Sequence, residues 1–219
     1  MSTLYGVFLS RASRPIWLLY ELGEAFEHVP VIQAYRLKDA KAADAPLNTA
    51  SPAFLTVNPI GQIPAWVEGD LVLTESLAIT NHIARTRGGE LSPKTAAEAA
   101  HLDQWTLLAV TSIEGPALEI QTITGQGGDK TAEGQAAISI CAAKLRRPLA
   151  RLEKHLAGQA YLLDDRFTVA DLNLAECLRY AQGHPTLLGE FPAVQAWLER
   201  CQSREAFKRM WAARMAEPV

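Results

Sequence analysis

Two serine hydroxyls lie in the stretch LSRASRP, where the first apolar segment of the sequence gives way to the first helical pattern. Ser10 and Ser13 therefore follow a predicted strand and precede a predicted helix, the place where open α/β sheets commonly bind ligands. Backbone N–H groups and the positive end of the helix dipole converge there and favour an anion, including a thiolate. A simpler role also fits, in which Ser13 caps the helix and Ser10 fills a turn.

A proline interrupts the stretch NPIGQIPAWVEGDLVLTES at the point where a short apolar strand is expected to begin. Because proline cannot donate to a sheet, Pro64 belongs at a strand start, an edge or a sharp bend. Proline is also the residue type that most readily accepts a cis peptide bond. We therefore expect a bare backbone edge next to Pro64.

The triplet Thr74-Glu75-Ser76 opens another predicted helix. A free hydroxyl at a helix N-terminus suits a carboxylate, and the neighbouring Glu75 could hold an ammonium group. Taken alone, ordinary N-capping with Thr74 as the cap is the simpler explanation of the triplet.

The motifs of several common enzyme classes are absent from the sequence. The five histidines stand apart from one another and from the cysteines, so no metal site is expected. No glycine-rich phosphate loop follows the first strand, and the Gly-x-Ser-x-Gly pattern is missing. Cys141, Cys177 and Cys201 are odd in number and lie in helical patterns, which favours reduced core thiols over disulfides.

The composition is that of a globular chain with one large or two small domains: 219 residues, of which 48% are hydrophobic and 21% charged. The formal net charge is −3 and the basic residues are scattered. Neither nucleic acid nor an anionic membrane surface is therefore expected as a partner. The sequence has no leader pattern and no apolar run long enough to span a membrane, and we expect a cytoplasmic protein.

The elements that must position these side chains fall into two halves. In residues 1–88, the order is a strand at TLYGVF, a helix, a strand, a helical excursion, two strands joined by a Gly69-Asp70 turn, and a helix. From about residue 93 onward the periodicity is almost wholly helical, and Thr168 and Asp171 have capping-box spacing. We predict an α+β domain over residues 1–88 and an all-helical domain over residues 89–219.

Together, the serine after the first strand, the pattern Asn-Pro-x-Gly-x-x-Pro and the downstream Glu-Ser resemble the cytosolic glutathione S-transferase family. The resemblance covers essentially the whole chain, including FLTVNPIGQIPAW, LTES and FTVADL. It implies a thioredoxin-like N-terminal domain with a mixed four-stranded sheet, followed by an all-α domain. It also implies a homodimeric detoxification enzyme of bacterial type that uses glutathione as co-substrate and no metal.

The resemblance places the glutathione contacts by matched motif. In this family the proline at the position of Pro64 is cis, and the backbone of the residue before it, here Ile63, pairs with the cysteinyl part of glutathione. Glu75 and Ser76 would hold the γ-glutamyl end. Gln62 would lie near the glycyl end.

Ser10 is the residue that the resemblance favours as the partner of the glutathione thiolate. In serine-using classes similar to theta and delta, the active serine precedes an arginine of the first helix by four positions, as Ser10 precedes Arg14. Ser13 is the alternative, because the cysteine-using classes place their nucleophile there. Tyr5 lies too early for a tyrosine-type role, and the lack of cysteine before Cys141 argues against a mixed disulfide with the enzyme.

A hydroxyl and a helix dipole are sufficient for this thiolate chemistry. A free thiol with a pKa of about 8.5 is only about 3% ionised at pH 7, and lowering that pKa to about 7 requires about 2 kcal/mol. One hydrogen bond and a helix dipole can supply this energy. Ser10 is therefore expected to donate a hydrogen bond to the thiolate rather than to act as a base. The thiolate would then attack a hydrophobic electrophile or a peroxide.

The electrophile pocket is expected to take its walls from the first loop and the first long helix. The candidate residues are Phe8, Arg11, Trp105, Leu108, Ala109 and Ser112. The helical stripe among them fits a core helix equally well. Asp103 either reaches a ligand of the other subunit across a dimer interface or is a solvated charge.

Two other functions are compatible with the same motifs. Glutathione-dependent ether cleavage or dehalogenation would use the same N-terminal residues. A non-catalytic glutathione-binding or dimerisation module would use the same fold, since fold alone does not determine function. Binding of glutathione without conjugating activity would favour the module.

Overall fold

The computed structural model describes residues 2–218, which divide into two compact units. Residues up to Gly89 form the first unit together with the segment from Arg204 onward, and residues Glu90–Ser203 form the second. We expected the helical domain to extend over residues 89–219. In the structure the second unit ends at Ser203, and the helical segment after it belongs to the first unit.

A mixed four-stranded sheet forms the centre of the first unit. Its strands are β1 (Thr3–Tyr5), β2 (Glu27–Val29), β3 (Ala65–Glu68) and β4 (Leu71–Leu73), in the spatial order β2-β1-β3-β4. β1 pairs in parallel with β2 and antiparallel with β3, and Leu4 lies opposite both His28 and Trp66. Leu4 and Trp66 are fully buried, so the centre of the sheet contributes directly to the core.

The turn between β3 and β4 follows from the pair Gly69-Asp70. Glu68 lies opposite Leu71, so only these two residues connect the strands. Gly69 has a φ of 59°, and two-residue hairpin turns whose twist matches the strands require positive φ at this position. The hairpin predicted from the sequence is confirmed.

Nine helices are present in the part of the chain that the structure describes. In chain order they are α1 (Ser13–Leu22), α2 (Pro52–Leu55), α3 (Ser76–Arg87), α4 (Ala96–Leu108), α5 (Gly115–Gly125), α6 (Ala132–Leu156), α7 (Val169–Leu178), α8 (Pro192–Gln202) and α9 (Glu205–Ala216). Short 3-10 segments occupy Ala34–Arg36, Gly89–Leu91, Gly128–Lys130, Arg179–Gly183 and Leu188–Glu190, and a π-helical segment occupies Ala109–Glu114.

The last helix, α9, completes the core of the first unit by packing on α1. The indole of Trp17, which is fully buried, meets the ring of Phe207 edge to face with 4.9 Å between the ring centroids. Arg204 donates two hydrogen bonds to the carboxylate of Glu21, at 2.7 and 2.8 Å. A bidentate pair of this kind fixes the orientation of a helix better than a single ion pair does.

The second unit is helical throughout its regular structure. α4 continues through the π-helical segment into α5, and α6 runs through Pro148 without an interruption in helix assignment. The threonines that precede α4 and α6 cap them: Thr95 Oγ1 accepts from the Glu98 N–H and Thr131 Oγ1 from the Gly134 N–H, each at 3.1 Å. These contacts satisfy amide groups that a helix start otherwise leaves without partners.

The capping box at α7 is also a junction of the helical core. Asp171 Oδ2 accepts hydrogen bonds from the Thr168 N–H at 2.9 Å and the Thr168 hydroxyl at 3.0 Å. Asp171 Oδ1 accepts from the Leu162 N–H at 2.8 Å and the Trp197 indole at 2.9 Å. One buried carboxylate therefore ties the start of α7 to the preceding loop and to α8.

The prediction of a thioredoxin-like domain with a mixed four-stranded sheet, followed by a helical domain, is confirmed. Within residues 2–218, the helices are all too short or too polar to cross a membrane.

Candidate functional site

The loop between β1 and α1 carries the two serines on which the sequence analysis centred. Ser10 is partly exposed, whereas Ser13 is fully buried. Ser10 Oγ donates a hydrogen bond to the Val7 carbonyl at 2.6 Å and accepts one from the Ala12 N–H at 3.0 Å. The N-cap of α1 is Ala12 rather than Ser13, which is the first residue of the helix.

The peptide bond between Ile63 and Pro64 is cis, and β3 begins at the next residue. Pro64 is buried, Ile63 half-buried and Gln62 exposed. The loop before them is held by Asn58, whose amide nitrogen donates to the Gln62 carbonyl at 2.7 Å and whose amide oxygen accepts from the Ile60 N–H at 3.2 Å. Asn58 thus fixes the backbone that leads into the proline.

The role of Asn58 is one that sequence reasoning missed. Asn58 stands first in the pattern Asn-Pro-x-Gly-x-x-Pro, but the pattern alone does not tell which backbone groups an asparagine will bind. The signal available was the residue type, because asparagine can satisfy a donor and an acceptor of a nearby turn at once. Its burial, with 2% of its surface exposed, leaves those groups dependent on it.

Glu75 has a φ of 64° and a ψ of 108°, a backbone conformation that residues with a side chain rarely adopt. Such a conformation costs on the order of 1–3 kcal/mol and persists only where the surroundings enforce it. Glu75, and not the expected Thr74, is the N-cap of α3. Its side chain is exposed, and the next residue, Ser76, is buried at the first position of the helix.

The structure brings these three regions together within the first unit. A Cβ placed on Gly6 would lie 3.6 Å from Ile63 Cβ and 3.7 Å from Pro64 Cα, so the start of the serine loop lies directly against the cis-proline turn. Arg14 Nη1 donates a hydrogen bond to Ser76 Oγ at 2.9 Å. The start of the serine loop therefore contacts the proline turn, and the first turn of α1 contacts the start of α3.

The C-terminal segment that follows α9 also contacts the serine loop, which the sequence analysis did not anticipate. The carboxylate of Glu217 accepts hydrogen bonds from the Phe8 N–H at 2.9 Å and the Leu9 N–H at 2.6 Å. Arg214 donates to the carbonyls of Phe8 and Ser10. No local pattern could have indicated these contacts, because they join residues more than 200 positions apart.

The residues expected to line the electrophile pocket have different environments. Phe8 is half-buried and packs edge to face on His28, with 5.4 Å between the ring centroids, and Arg11 is exposed. In the helical unit, Trp105 and Ala109 are buried. Leu108 and Ser112 line a cavity of about 550 Å³ within that unit, whose other walls are Thr111, Pro116, Lys144, Arg147, Pro148 and Arg151.

The environment of Trp105 fits the core helix that the sequence analysis held as the alternative. Its ring packs against His155, with 4.7 Å between the centroids, and beneath the guanidinium of Arg151 at 5.2 Å. Asp103 is exposed. Among the described residues, no group of three or more histidine, cysteine or acidic side chains is arranged to hold a metal ion.

Comparisons with known proteins identify the family to which the chain belongs. The family model described as glutathione S-transferase, N-terminal domain, matches residues 2–85, and the model of the C-terminal domain matches residues 92–205. Glutathione S-transferase 3 of Zea mays is 35% identical, over 96% of this chain and 93% of that protein.

Solved structures give the same result. Glutathione transferase F7 from Populus trichocarpa is 30% identical with a TM-score of 0.81, covering 98% of this chain and 99% of that one. The theta class glutathione S-transferase from Xanthomonas axonopodis pv. citri, determined with glutathione bound, is 29% identical with a TM-score of 0.74 and 95% coverage of each chain. With both domain models matched and relatives similar over nearly its full length, the chain belongs to the glutathione S-transferase family.

Proposed function

We propose that this protein is a serine-type glutathione transferase in which the Ser10 hydroxyl stabilises the thiolate of bound glutathione. The observation that carries the proposal is the difference between the two serines of the loop. Ser10 is partly exposed in the loop whose start packs against the cis-proline turn, whereas Ser13 is fully buried. A hydrogen-bond donor to a ligand must be reachable by that ligand, which favours Ser10.

The hydrogen bonds of Ser10 suggest how the hydroxyl would respond to the ligand. At present its proton points to the Val7 carbonyl and its oxygen accepts from the Ala12 N–H. Rotation about the Cβ–Oγ bond would redirect the proton to the sulfur. An amide that donates to the same oxygen polarises the hydroxyl and makes it a better donor.

The glutathione itself would bind along the three regions that meet in the first unit. The Ile63 backbone would pair with the cysteinyl residue of glutathione, as an added strand pairs with a sheet edge. Ser76 and the N-terminus of α3 would receive the γ-glutamyl carboxylate, and Glu75 its ammonium group. Gln62, which is exposed, would lie near the glycyl end.

The chemical step is a nucleophilic attack. The thiol loses its proton to solvent, and the thiolate attacks an electrophilic carbon, where a carbon–sulfur bond forms as the leaving group departs or the π-electrons of an enone move to its oxygen. Ser10 and the dipole of the first helix together would supply about 2 kcal/mol of thiolate stabilisation, which raises the ionised fraction of the thiol at pH 7 from about 3% to about half. Positioning of the two reactants would supply much of the remaining acceleration.

We further propose that the protein is a homodimer, as is typical of the family. This proposal is supported by large apolar side chains that are exposed on the helical unit. Leu107, Val110 and Ile140 are 60%, 41% and 58% exposed. Light scattering of the purified protein would give the mass of one chain if this proposal is wrong.

The experiment that tests the catalytic proposal is a titration of bound glutathione against pH, followed by the ultraviolet absorbance of its thiolate. We expect a pKa well below that of free glutathione, and a return toward the free value in Ser10→Ala. Ser13→Ala is the matched control. Saturable binding with an unshifted pKa would instead indicate a glutathione-binding module, and a shift abolished only in Ser13→Ala would move the role to Ser13.

A further inference from the structure

The amide groups of Phe8 and Leu9 form a pair of donors that bind one carboxylate. Glu217 places one oxygen on each: Oε1 accepts from the Phe8 N–H at 2.9 Å and Oε2 from the Leu9 N–H at 2.6 Å. Successive backbone amides that point at a single anion are a recurrent anion-binding arrangement. The occupant shows that the geometry of this amide pair suits a carboxylate.

The amide pair is held in place by contacts other than Glu217. Four of the five carbonyls from residue 6 to residue 10 accept a hydrogen bond from a side chain of the first unit other than Ser10. The donors are His28 Nε2 to Gly6, Arg214 to Phe8 and Ser10, and Gln33 Nε2 to Leu9. The two N–H groups therefore keep their directions when the carboxylate leaves, which is the condition for a preformed subsite.

Glu217 itself is attached in a way that allows it to leave. It follows Ala216, the last residue of α9, and its backbone is extended, with a φ of −70° and a ψ of 129°. Because Glu217 lies outside the helix, its side chain can move without disturbing the hydrogen bonds of α9. Arg214 of α9, which donates to carbonyls of the serine loop, and Arg36, which donates to the Pro218 carbonyl at 3.3 Å, leave a positive environment that favours another anion in the same place.

The position of the pair beside Ser10 indicates which ligand would use it. Phe8 and Leu9 immediately precede the serine to which the function proposed above assigns the thiolate. A group bound to their amides would belong to the molecule that the sulfur attacks. We propose that the Phe8–Leu9 amide pair is a subsite for a carboxylate or oxyanion of the second substrate, which Glu217 occupies until such a group displaces it.

This inference rests on the proposed function, because it takes the electrophile to lie beside Ser10. It makes the protein selective for electrophiles that carry a negative group, and it makes Glu217 the residue that limits their binding. An electrophile without such a group would leave Glu217 in place.

The experiment compares two kinds of glutathione conjugate that differ only in the negative group. Binding of S-benzylglutathione and of the ortho, meta and para isomers of S-(carboxybenzyl)glutathione is measured by calorimetry for the wild type and Glu217→Gln. The amide of glutamine keeps the size of the side chain but is a weaker, neutral competitor for the two N–H groups. Glu205→Gln, an equal charge change at an exposed position of α9, is the matched control.

We expect at least one carboxybenzyl isomer to bind Glu217→Gln about tenfold more tightly than the wild type, the difference that one charge-assisted hydrogen bond makes. S-benzylglutathione should change less than about twofold, and Glu205→Gln should leave both ligands unaffected. In the wild type, the amide resonances of Phe8 and Leu9 should shift more with that isomer than with S-benzylglutathione, a readout that needs no variant.

Three results would overturn the inference. If no carboxybenzyl isomer gains affinity, the amide pair does not receive the negative group. If both kinds of conjugate gain equally, the subsite belongs to glutathione and not to the electrophile. If Glu205→Gln produces the same gain, the effect is one of overall charge. Failure of S-benzylglutathione itself to bind would instead contradict the proposed function.

Discussion

The guanidinium of Arg14 and the hydroxyl of Ser76 are joined by a hydrogen bond of 2.9 Å that connects the first turns of α1 and α3. Both side chains are buried, with 1% and 4% of their surface exposed. Because Arg14 takes a lone pair of Ser76 Oγ, the hydroxyl proton remains free to donate elsewhere. Arg14, in the first turn after the serine loop, thus contacts the residue that we propose to bind the γ-glutamyl end of glutathione.

A double-mutant cycle of Arg14→Met and Ser76→Ala should show coupling between the two positions. Methionine keeps most of the length and packing of the arginine side chain while removing its donors. We expect each single variant to raise the dissociation constant for glutathione about tenfold, with a coupling energy of about 1–2 kcal/mol. Calorimetry of glutathione binding measures all four proteins, and additive effects would show that the two residues act independently.

Substitution of Asn58 should weaken glutathione binding more than turnover. In Asn58→Ala the Gln62 carbonyl and the Ile60 N–H lose their partner, and the loop before Pro64 gains freedom. We expect KM for glutathione to rise about tenfold while kcat changes less than about threefold, since the lost interaction positions the ligand and not the reacting atoms. Steady-state kinetics at saturating electrophile provide the measurement, and a fall in kcat alone would contradict this role.

The backbone of Glu75 predicts an unusual order of stability among its variants. Glycine adopts a φ of 64° without steric cost, whereas alanine does not. The free energy of unfolding of Glu75→Gly should therefore be about 1 kcal/mol larger than that of Glu75→Ala. Both variants should lose affinity for glutathione. Urea unfolding of the two variants provides the comparison; alanine as the more stable residue would mean that the positive φ is not maintained in solution.

Asp171 should be among the most costly positions to change. Its carboxylate is fully buried, and burial raises its pKa although hydrogen bonds from Trp197, Leu162 and Thr168 favour the ionised form. Asp171→Ala would leave these donors without an acceptor in the core, at a cost of about 3 kcal/mol or more. Denaturant unfolding measures the loss, and Asp165→Ala, at an exposed position in the preceding loop, is a control expected to change stability by less than about 1 kcal/mol.

The stability of the protein should fall on mild acidification because of two histidines. Burial and the charge of Arg146 lower the pKa of His184, whose Nδ1 accepts from the N–H groups of Thr186 and Leu187. Burial likewise lowers the pKa of His155. A lowered pKa means that the unfolded chain takes up the proton first, so stability is lost as pH falls below about 6.5.

Unfolding in urea at about pH 7.5 and about pH 5.5 tests this dependence. In the wild type we expect a lower free energy of unfolding at the acid value. His155→Gln and His184→Gln should each reduce the difference between the two pH values. A double variant that keeps the full difference would place the effect in other groups.

The parts of the candidate site that could be predicted from sequence are those in which the proposed ligand-binding group lies within a local motif. Ser10, Pro64 and Ser76 each stand next to a strand end or a helix start, so their residue type and position were informative. The extent of β1 was overestimated, because TLYGVF continues the apolar pattern while the chain leaves the sheet at Gly6, whose φ is 150°. The chain leaves the sheet there because Gly6 packs against Pro64, a contact that the sequence pattern does not reveal.

The C-terminal part of the site could not be predicted in this way. The helical period of residues 205–216 indicates a helix but not the element on which it packs. The contacts of Arg214 and Glu217 with the serine loop depend on that packing. A carboxylate that binds backbone amides leaves no pattern in the sequence of the loop, because any residue type supplies the same amides.

The packing of α9 on α1 has a consequence for the order in which the protein matures during synthesis. The sheet and α1 emerge from the ribosome before the helical unit, but the indole of Trp17 is covered by Phe207 only after the whole of that unit has been made. Until then the nascent first unit exposes an apolar surface of the kind that chaperones bind. The loop that carries Ser10 likewise gains its contacts with Arg214 and Glu217 only after the helical unit has been made, so a chain interrupted before α9 would have neither a closed core nor a fixed serine loop.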